Sequence, residues 1–557
     1  MEFLSQLSKI INSGQSRSVM LTGNVNDLFY DGSKYVPLVN FLSKSYAVQP
    51  SQNKNGKIQL IYEINNPIRV CGNKAEISSL WDAFKGGPQH KFDDLCENSK
   101  DNPVLAFEFL RWLTICSREA YRRGVSNNDL LIVIEAADML MPNERISALP
   151  AVDRKCIGIV QDWISDPDFM QGPDSVILIS ESASLVHQKI STLPQLIAVD
   201  IPAPTYEVRE KFIKMYGDNK DIPSDLAKNT ASLSLHALRQ LLCLNKVSSA
   251  DVMSKVQEYI SSQLGEDIVE FKKPTHKLGD VIGFTRLKEF FRNKIIPRIK
   301  GGPETALSGA AIGGPIGGGK TFICEAMASE LDLPVLVLKN LRSQWYGQTD
   351  VIFERLKRTL MALDKVVIFL DEADTQLGGV GPETHETERR LTGKIQAMMS
   401  DPQLKGKVTW LLMTARIHLL SPDIRRPGRA GDLIIPVLDP EGDDIDLFLK
   451  WVFKDFEDSD LTVLRELTKG YSVASFAALK SLLKAENCQT KDEVISIVSD
   501  MILPDIGDTR EYQILQAKMN CTRQSLLFDK PLSKEEFAKE KETWKRRLEQ
   551  LEKIGMK

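Results

Sequence analysis

A glycine-rich loop is the stretch of the sequence whose residue types predict chemistry most directly. Residues 313–321 read GGPIGGGKT, which fits the spacing Gly-x-x-x-x-Gly-Lys-Thr. In such a loop the backbone N–H groups surround a phosphate chain, the lysine reaches the outer phosphates and the threonine hydroxyl meets Mg²⁺. Glycines are needed because side chains would block that close approach. The predicted ligand-binding residues are Gly314, Pro315, Ile316, Gly317, Gly318, Gly319, Lys320, Thr321 and Phe322.

Two acids at the end of an apolar strand supply the second part of this chemistry. The stretch KVVIFLDEAD, at residues 365–374, contains a run typical of a central parallel strand and delivers its acids at the carboxyl edge of the sheet. Asp371 is expected to hold the Mg²⁺ hydration shell, while Glu372 orients and polarises a water for attack on the γ-phosphate. A lone acidic pair is often only solvated, but beside the glycine loop it predicts hydrolysis.

The elements around these residues are those that would position them. The stretch FICEAMASELD after the loop is predicted to continue as a helix whose N-terminal dipole faces the phosphates. The next stretch, LPVLVLK, has the pattern of a buried strand. A flexible glycine loop between unrelated elements would explain neither this context nor the second motif.

From LGDVIGFTRLKEFF to GYSVASFAALKSLL, at residues 278–483, the sequence resembles the AAA+ ATPases, near the branch of proteasomal and katanin-like ATPases. The resemblance implies an α/β P-loop NTPase fold, with a three-layer core, a parallel sheet and a small helical lid. It also implies a hexameric ring and hydrolysis of ATP with Mg²⁺. The catalytic residues would be Lys320 and Glu372, and the metal would be held through Thr321 and Asp371.

Further site residues are implied by the same resemblance. The segment DVIG is similar to the adenine-binding entry of the family, which places the backbone of Ile282 and Gly283 against the base. SPDIRRPGRAGD resembles the segment that carries arginine fingers, matching Arg426 and Arg429. Such a finger completes a neighbouring subunit's site and contributes about 10³ to 10⁵ in rate. Standing alone, this segment would be a basic turn.

One position departs from the family pattern. In LLMTARIHLL the family usually has Asn after Thr, but this chain has Ala415, which cannot hydrogen-bond a water or a phosphate. Either Thr414 substitutes at the tip of the strand, or hydrolysis is slow. The lid stretch GYSVAS also lacks a sensor arginine, as is common in this branch.

An aromatic loop predicts the substrate. Trp345, Tyr346 and Gly347 resemble the loop that lines the central pore of such rings, where flat side chains grip an extended polypeptide. They could instead be core aromatics, although their polar and glycine neighbours favour a loop. A second glycine-containing loop, at residues 378–383, could form an inner pore ring or a simple connection.

The first half of the chain is predicted to be a degenerate copy of the second. NNDLLIVIEAADML parallels the strand with the two acids, but places Glu135 at the position of Asp371 and Ala136 at that of Glu372. At the expected phosphate loop stands SVMLTGNVNDLFYDG, which has no lysine. The half would be a structural tier or a docking ring. The alternative is two unrelated α/β domains.

The predicted domains are a degenerate AAA-like module, a linker, an AAA+ core, a helical lid and a helical tail, at residues 1–262, 263–276, 277–438, 439–502 and 503–557. With 71 basic and 75 acidic residues, the 557-residue chain has a net charge of −4, which gives no reason to expect nucleic acid or an anionic membrane as partner. Scattered cysteines and the lack of a signal peptide or spanning segment predict a soluble, cytoplasmic protein.

The leading functional hypothesis is a homo-hexameric ATPase that remodels or threads protein. Two alternatives remain open. One is a nucleotide-gated assembly scaffold with slow turnover, which Ala415 and the inactive first half support. The other is a DNA-acting loader or initiator, which predicts a basic pore and a DNA-binding module that the sequence does not display.

Overall fold

A computed structural model gives the structure of the chain. It describes residues 2–46, 57–85, 91–125, 129–217, 225–231, 233–244, 246–265, 269–272, 274–331, 333–339, 349–363, 365–377, 386–453, 458–486, 490–502 and 506–556. The chain divides into two compact units, Met1–Tyr259 with Asp350–Glu354 and Ile260–Thr349 with Arg355–Lys557.

The first unit is built on a largely parallel sheet. Its strands are β1 (Ser18–Gly23), β2 (Leu28–Tyr30), β3 (Tyr35–Pro37), β4 (Lys57–Tyr62), β5 (Arg69–Cys71), β6 (Asp129–Ile134), β7 (Ser175–Ile179) and β8 (Leu196–Ile201). The sheet has the order β5-β4-β6-β7-β1-β8, and only the β4–β5 pairing is antiparallel among its described pairings. The strands β2 and β3 form a separate antiparallel hairpin directly after β1.

Helices cover both faces of this sheet, because its central strands are largely apolar. Along β6, Leu130, Ile132 and Ile134 belong to one hydrophobic cluster, whereas Leu131 and Val133 belong to another. Such doubly buried runs are typical of parallel strands. The helices are α1 (Glu2–Ser13), α2 (Leu38–Ser45), α3 (Lys74–Phe84), α4 (Phe92–Asn98), α5 (Pro103–Arg122), α6 (Ala137–Leu140), α7 (Ala151–Ile164), α8 (Pro167–Gln171), α9 (Gln188–Ser191), α10 (Tyr206–Tyr216), α11 (Leu226–Asn229), α12 (Leu235–Leu242) and α13 (Ser249–Leu264).

The second unit contains another largely parallel sheet. Its strands are β9 (Val269–Lys272), β10 (Gly309–Gly313), β11 (Val335–Leu338), β12 (Val366–Leu370), β13 (Val408–Thr414) and β14 (Ile434–Pro436). Their order is β14-β10-β13-β12-β11-β9, and among the described pairings only that of β9 with β11 is antiparallel. The strand β9 lies within the predicted linker, where the sequence pattern does not indicate a strand.

The second unit surrounds its sheet with helices and carries further helices after it. They are α14 (Thr285–Phe290), α15 (Ile296–Lys300), α16 (Lys320–Leu331), α17 (Thr349–Ala362), α18 (Ala373–Gln376), α19 (Glu386–Met399), α20 (Pro422–Arg425), α21 (Asp443–Val452), α22 (Asp458–Leu467), α23 (Val473–Ala485), α24 (Lys491–Asp500), α25 (Gly507–Asn520) and α26 (Lys534–Lys553), with a π-helical stretch at Phe291–Ile295 joining α14 to α15. None of the described helices is long and apolar enough to cross a membrane.

The two sheets share one strand order. Counting the five parallel strands of each unit along the chain, both sheets run 2-3-4-1-5. The first parallel strand therefore lies between the fourth and the fifth in both units. The predicted α/β fold, with a parallel sheet in the core and a related module before it, is confirmed.

The two C-terminal helices form a hairpin. The helix α26 begins with a capping box, in which Ser533 and Glu536 bond each other's backbone N–H groups. Its apolar residues Trp544, Leu548 and Leu551 pack against Tyr512 and Leu515 of α25. The apolar seam of α26 thus packs on the preceding helix of its own chain.

Candidate active site

The glycine loop lies between β10 and the start of α16, as the sequence predicts. Gly314 passes so close to Val437 that a Cβ atom there would lie 2.0 Å from the Val437 carbonyl oxygen. Gly317 and Gly319 have φ angles of 72° and 82°, in the left-handed region that glycine adopts without steric cost. The sequence needs glycine at these positions because the loop turns sharply and packs tightly.

The lysine of the loop lies over its backbone. The Lys320 Nζ donates to the carbonyl oxygens of Gly314 at 3.0 Å and Pro315 at 2.9 Å. Burial lowers the pKa of Lys320, while the carboxylate of Asp371 opposes this shift. A phosphate chain beside the ammonium would favour its charged form in the same way as a carboxylate does.

Thr321 and Asp371 bring two hard oxygen ligands together. The Thr321 hydroxyl donates to Asp371 Oδ2 at 3.0 Å, and Asp371 Oδ1 accepts from the backbone N–H of Glu372 at 2.9 Å. Hydroxyl and carboxylate oxygens are the protein ligands that Mg²⁺ favours, with water and substrate phosphates completing its shell. The donor set therefore fits a magnesium ion that accompanies a bound triphosphate.

Glu372 occupies a constrained turn at the end of β12. Its φ and ψ angles are 47° and 43°, which place a residue with a side chain in the left-handed region. Because the backbone turns there, α18 begins directly after the strand and the Glu372 side chain is exposed. Glu372 lines the same cavity as Lys320, Thr321 and Asp371.

This cavity, of about 680 Å³, joins the polar groups to an apolar wall. Its volume is in the range of small-molecule and cofactor sites. One side is formed by the loop and the acids, and the other is apolar. The apolar side includes Val281, Ile282, Phe448, Trp451, Val473, Ala474 and Ala477. The arrangement suits a ligand with a flat apolar base and a charged phosphate chain.

The predicted site residues do not all reach this cavity. Those that line it are Ile282, Ile316, Gly317, Gly319, Lys320, Thr321, Phe322, Asp371, Glu372 and Thr414. Gly314 and Pro315 instead supply carbonyl oxygens to Lys320, and the Pro315 oxygen also accepts from the N–H of Gly318 at 3.1 Å. Gly283 supports the wall, since a Cβ atom there would lie 2.6 Å from Phe448.

Thr414 is engaged in a polar network at the tip of β13. Its hydroxyl donates to Asp374 Oδ1 at 2.5 Å and accepts from the N–H of Arg416 at 2.8 Å. Arg416 Nε also donates to Asp374 Oδ2 at 2.6 Å. A hydroxyl has a single proton, so in this arrangement Thr414 has none to donate to a phosphate, although a lone pair remains for a water.

The two predicted arginine fingers have different surroundings. Arg426 is exposed. Arg429 is only 9% exposed, and it donates from Nε to Ser400 Oγ at 2.8 Å and from Nη1 to the backbone carbonyl oxygen of Asp423 at 3.1 Å. Neither lines the cavity of its own chain. Of the two, only Arg426 has a side chain that is accessible from outside the unit.

The predicted pore residues Trp345, Tyr346 and Gly347 lie outside the described residues, as does the second loop at 378–383. Two other residues near the site carry no signal in the sequence. Gln513 and Arg510 of α25 bond the backbone of Ile316 in the glycine loop. Their spacing predicts only that they share one face of a helix.

Two family models match the chain. The model of the AAA+ chaperone N-terminal Rossmann-like domain matches residues 2–202, and the model of the ATPase family associated with various cellular activities (AAA) matches residues 311–436. The second match includes the glycine loop, the two acids and both arginines.

Several curated proteins are similar to the chain. A cell division cycle protein 48 homolog of Archaeoglobus fulgidus is 33% identical over 179 residues, 31% of this chain and 24% of that protein. The peroxisomal ATPase PEX6 of Dictyostelium discoideum is 25% identical over 42% of this chain and 19% of its own length. The uncharacterized AAA domain-containing protein ycf46 of Guillardia theta is 22% identical over 66% of this chain and 70% of its own. The chain spans about a quarter of the length of the first of these relatives.

Proposed function

The chain belongs to the AAA+ ATPases, and from this premise we propose that it hydrolyses ATP with Mg²⁺ and uses the energy to remodel protein substrates. The observation that carries the proposal is the contact of Thr321 with Asp371, 3.0 Å apart, beside Lys320 in the cavity of the second unit. Solvated acids or a structural glycine loop would not need this arrangement.

ATP binds with its base against the apolar wall and its phosphates on the loop. Ile282 and the lid residues Phe448 and Val473, which line the cavity, would contact the base. The backbone N–H groups at the start of α16 face the phosphates, where the helix dipole favours negative charge. Lys320 leaves the loop carbonyls and binds the outer phosphates.

Hydrolysis depends on the two acids and on a cation from another subunit. Thr321 and Asp371 would hold Mg²⁺, which would neutralise charge on the phosphate oxygens. Glu372 orients a water for attack and accepts its proton as the bond from the water oxygen to the γ-phosphorus forms. The bond from the γ-phosphorus to the β–γ bridging oxygen breaks in the same step, so ADP leaves with the released charge on its β-phosphate. Arg426, which is exposed, stabilises the charge that develops in a neighbouring subunit's site.

The oligomer in this proposal is a ring of identical subunits, a hexamer by resemblance to the family. The ATPase core at residues 277–438 and the lid at 439–502 carry the chemistry, and the tail begins at 503. The module at 1–262 has no catalytic role and forms a structural or docking tier. Trp345 and Tyr346, with Gly347 directly after them, grip an extended polypeptide in the pore.

A nucleotide-gated scaffold is a second candidate, and the network at Thr414 favours it. Because the Ala415 side chain cannot hydrogen-bond and the Thr414 proton is directed to Asp374, these two residues at the tip of β13 offer no side-chain donor to the γ-phosphate. Turnover would then be slow, and ATP would mainly control assembly.

A single set of ATPase measurements separates the two candidates. We would measure hydrolysis per subunit as the protein concentration increases, with and without an unfolded polypeptide. A motor is expected to show activity that rises with assembly, is stimulated by the polypeptide and loses that stimulation in Trp345→Ala. The Lys320→Ala variant is the control for hydrolysis by contaminating ATPases. Tight ATP binding, together with turnover that the unfolded polypeptide does not stimulate, would favour the scaffold hypothesis over the motor hypothesis.

A further inference from the structure

The glycine loop is held at its tip by a helix that lies far away in the sequence. The backbone N–H of Ile316 donates to Gln513 Oε1 at 2.9 Å, and the carbonyl oxygen of Ile316 accepts from Arg510 Nη1. Both polar groups of one loop residue are therefore bonded by side chains one turn apart on α25. The Ile316 side chain itself is 53% exposed, so the attachment is through the backbone.

Arg510 and Gln513 are themselves fixed in place. The Arg510 guanidinium donates to both carboxylate oxygens of Asp439, at 2.6 Å and 2.7 Å, at the entrance to the lid. Gln513 is 4% exposed, and the Arg510 side chain is 13% exposed. Nη2 makes both of these charge-assisted bonds, and because the guanidinium is a rigid plane, they also fix the direction in which Nη1 donates.

The helix that carries these residues is anchored to the core at other points. Asn520 Oδ1 accepts from Arg425 Nη1 at 3.0 Å, near the segment that contains Arg426. Thr522, just beyond the helix, accepts from the N–H of Ile434 in β14 at 3.0 Å. The rings of Tyr512 and His418 lie 5.3 Å apart in an edge-to-face arrangement. The helix α25 thus bridges the loop, the turn after β13 and the edge strand.

We propose that Arg510 and Gln513 are positioning residues that hold the phosphate-binding loop in its binding conformation, so that the C-terminal hairpin sets the affinity of the site for ATP. The inference rests on the proposed ATPase function. Its physical basis is the flexibility of the loop, because glycines lose more conformational freedom than other residues when they are ordered. Bonds from α25 restrict the loop before ligand arrives, which lowers the ordering cost of binding.

The position of Arg510 adds a charge to this effect. A Cβ atom on Gly317 would lie 3.5 Å from Arg510 Nη1, so the guanidinium borders the part of the loop that lines the cavity. The lid segment GYSVAS supplies no arginine. Arg510, which belongs to the tail, therefore places a positive charge beside the loop, whereas this lid segment contributes no arginine.

The test is ATP affinity in full-length protein. Binding of a fluorescent ATP analogue would be measured in a Glu372→Gln background, which separates binding from turnover. We expect Arg510→Ala and Gln513→Leu each to weaken binding about tenfold, the effect of losing one charge-assisted or buried hydrogen bond. In the catalytically intact protein, KM for ATP is expected to rise while kcat changes little. Arg510→Lys should recover part of the affinity, because an ammonium can serve only one of the two partners well.

Arg547→Ala is the matched control. Arg547 of α26 pairs with Glu511 of α25 through two bonds of 2.8 Å and 2.7 Å, and its described hydrogen bonds do not include the glycine loop. The double variant Arg510→Ala with Asp439→Ala removes the same loop contact without leaving an unpaired carboxylate. The inference predicts weakened ATP binding in the double variant and unchanged affinity in Arg547→Ala.

Three outcomes would overturn the inference. If Arg510→Ala and Gln513→Leu bind the analogue as tightly as the parent, the loop does not need α25. If Arg547→Ala weakens binding equally, the hairpin acts only as a general support. If the parent protein itself does not bind ATP, the proposed function fails as well, and this result is distinguishable from the first two because it precedes any substitution in α25.

Discussion

In the second unit the first parallel strand, β10, leads through a glycine loop into α16, whereas in the first unit β1 leads into the hairpin β2-β3. In both units a glycine at the end of this strand, or directly after it, packs close to the end of the fifth parallel strand. A Cβ atom would lie 2.5 Å from the Ile201 oxygen at Gly23 and 2.0 Å from the Val437 oxygen at Gly314. The sheet therefore dictates a glycine in both units, and the segment after that glycine determines whether a phosphate can bind.

The turn after the third parallel strand shows the same contrast. Ala136 has a φ of 48° and Glu372 a φ of 47°, and both precede a short helix. The left-handed turn is thus a property of the fold, since it persists where no carboxylate is present. Glu135, which corresponds to Asp371, pairs with Arg69 at 2.9 Å instead of meeting a loop hydroxyl. The first unit thus has the same turn as the second, but no carboxylate at the position of Glu372.

The start of the helix after the core also differs. In the first unit, Asp27 accepts from the N–H groups of Leu235, at 2.9 Å and 3.0 Å, and His236, at 3.3 Å, at the beginning of α12. In the second unit the N–H of Ala474, near the beginning of α23, donates to the Gly317 oxygen of the loop at 3.1 Å. The carboxylate of Asp27 thus anchors the start of α12 in the first unit, whereas α23 of the second unit contacts the glycine loop.

The largest difference between the units is expected at Arg426, because the first unit has Thr192 directly after the corresponding short helix α9. We expect Arg426→Ala to lower kcat by about 10³-fold or more, since the exposed guanidinium completes a neighbour's site. Steady-state ATPase assays at a concentration where the oligomer forms would measure this. Mixing the variant with Glu372→Gln subunits should restore activity, because some interfaces then combine an intact arginine with an intact acid.

Arg429→Ala is the contrast within the same segment. Its side chain bonds Ser400 and Asp423 of its own chain, so we expect it to lower thermal stability in addition to activity. A loss of activity that mixing rescues equally well, with unchanged stability, would assign the finger to Arg429 instead.

Glu372→Gln should separate binding from hydrolysis. We expect turnover to fall by about 10²-fold to 10⁴-fold, the range for removal of a positioned general base, with ATP binding retained. The matched change in the first unit, Glu135→Gln, should leave ATPase activity unchanged, because Glu135 pairs with Arg69. Comparable losses in both variants would mean that the first unit takes part in catalysis.

Substitution of Asp27 tests whether the start of α12 in the first unit is held in place without a bound nucleotide. Asp27→Ala leaves the N–H groups at the start of α12 without their buried acceptor, which costs about 1 to 3 kcal/mol in the free energy of unfolding. Hydrogen exchange of peptides from α12 should accelerate, and Asp27→Asn should retain more protection because an acceptor oxygen remains. If ATP slows the exchange of α12 peptides in the wild-type protein, this would contradict the expectation that α12 is held in place without nucleotide.

The local parts of the site could be predicted from the sequence because short spacing fixes them. Gly314 to Gly319 lie in one loop with Lys320 and Thr321 at the start of the next helix, and Asp371 and Glu372 directly follow one apolar strand. Parallel strands bring their carboxyl ends to one edge, so these motifs had to meet. The fold could be predicted because these motifs, in their order along the chain, carry the resemblance to the AAA+ ATPases.

Other parts had no local signal. Gln513 bonds Ile316, which lies 197 residues away in the sequence, and no motif at either residue predicts this contact. The strand β9 is short and half polar because it lies at an edge, so its pattern resembles a linker. The different burial of Arg426 and Arg429 depends on Ser400, which only the tertiary structure brings near.

A smaller, pH-dependent difference is expected within the first unit at Asp174. Burial raises the pKa of Asp174 to about 7, although its carboxylate accepts from the Leu130 N–H and the Ser117 hydroxyl. Because the folded-state pKa lies above the unfolded value, the folded unit binds the proton more tightly. The contribution to stability is therefore largest below about pH 4 and decreases as the pH rises to about 7.

Asp174→Asn keeps an acceptor for Leu130 and cannot ionise, so its stability relative to wild type should increase from pH 4 to pH 7. Hydrogen exchange of β6 peptides at each pH, with the exposed Asp162→Asn as control, measures this, and a pH-independent difference would place the proton elsewhere.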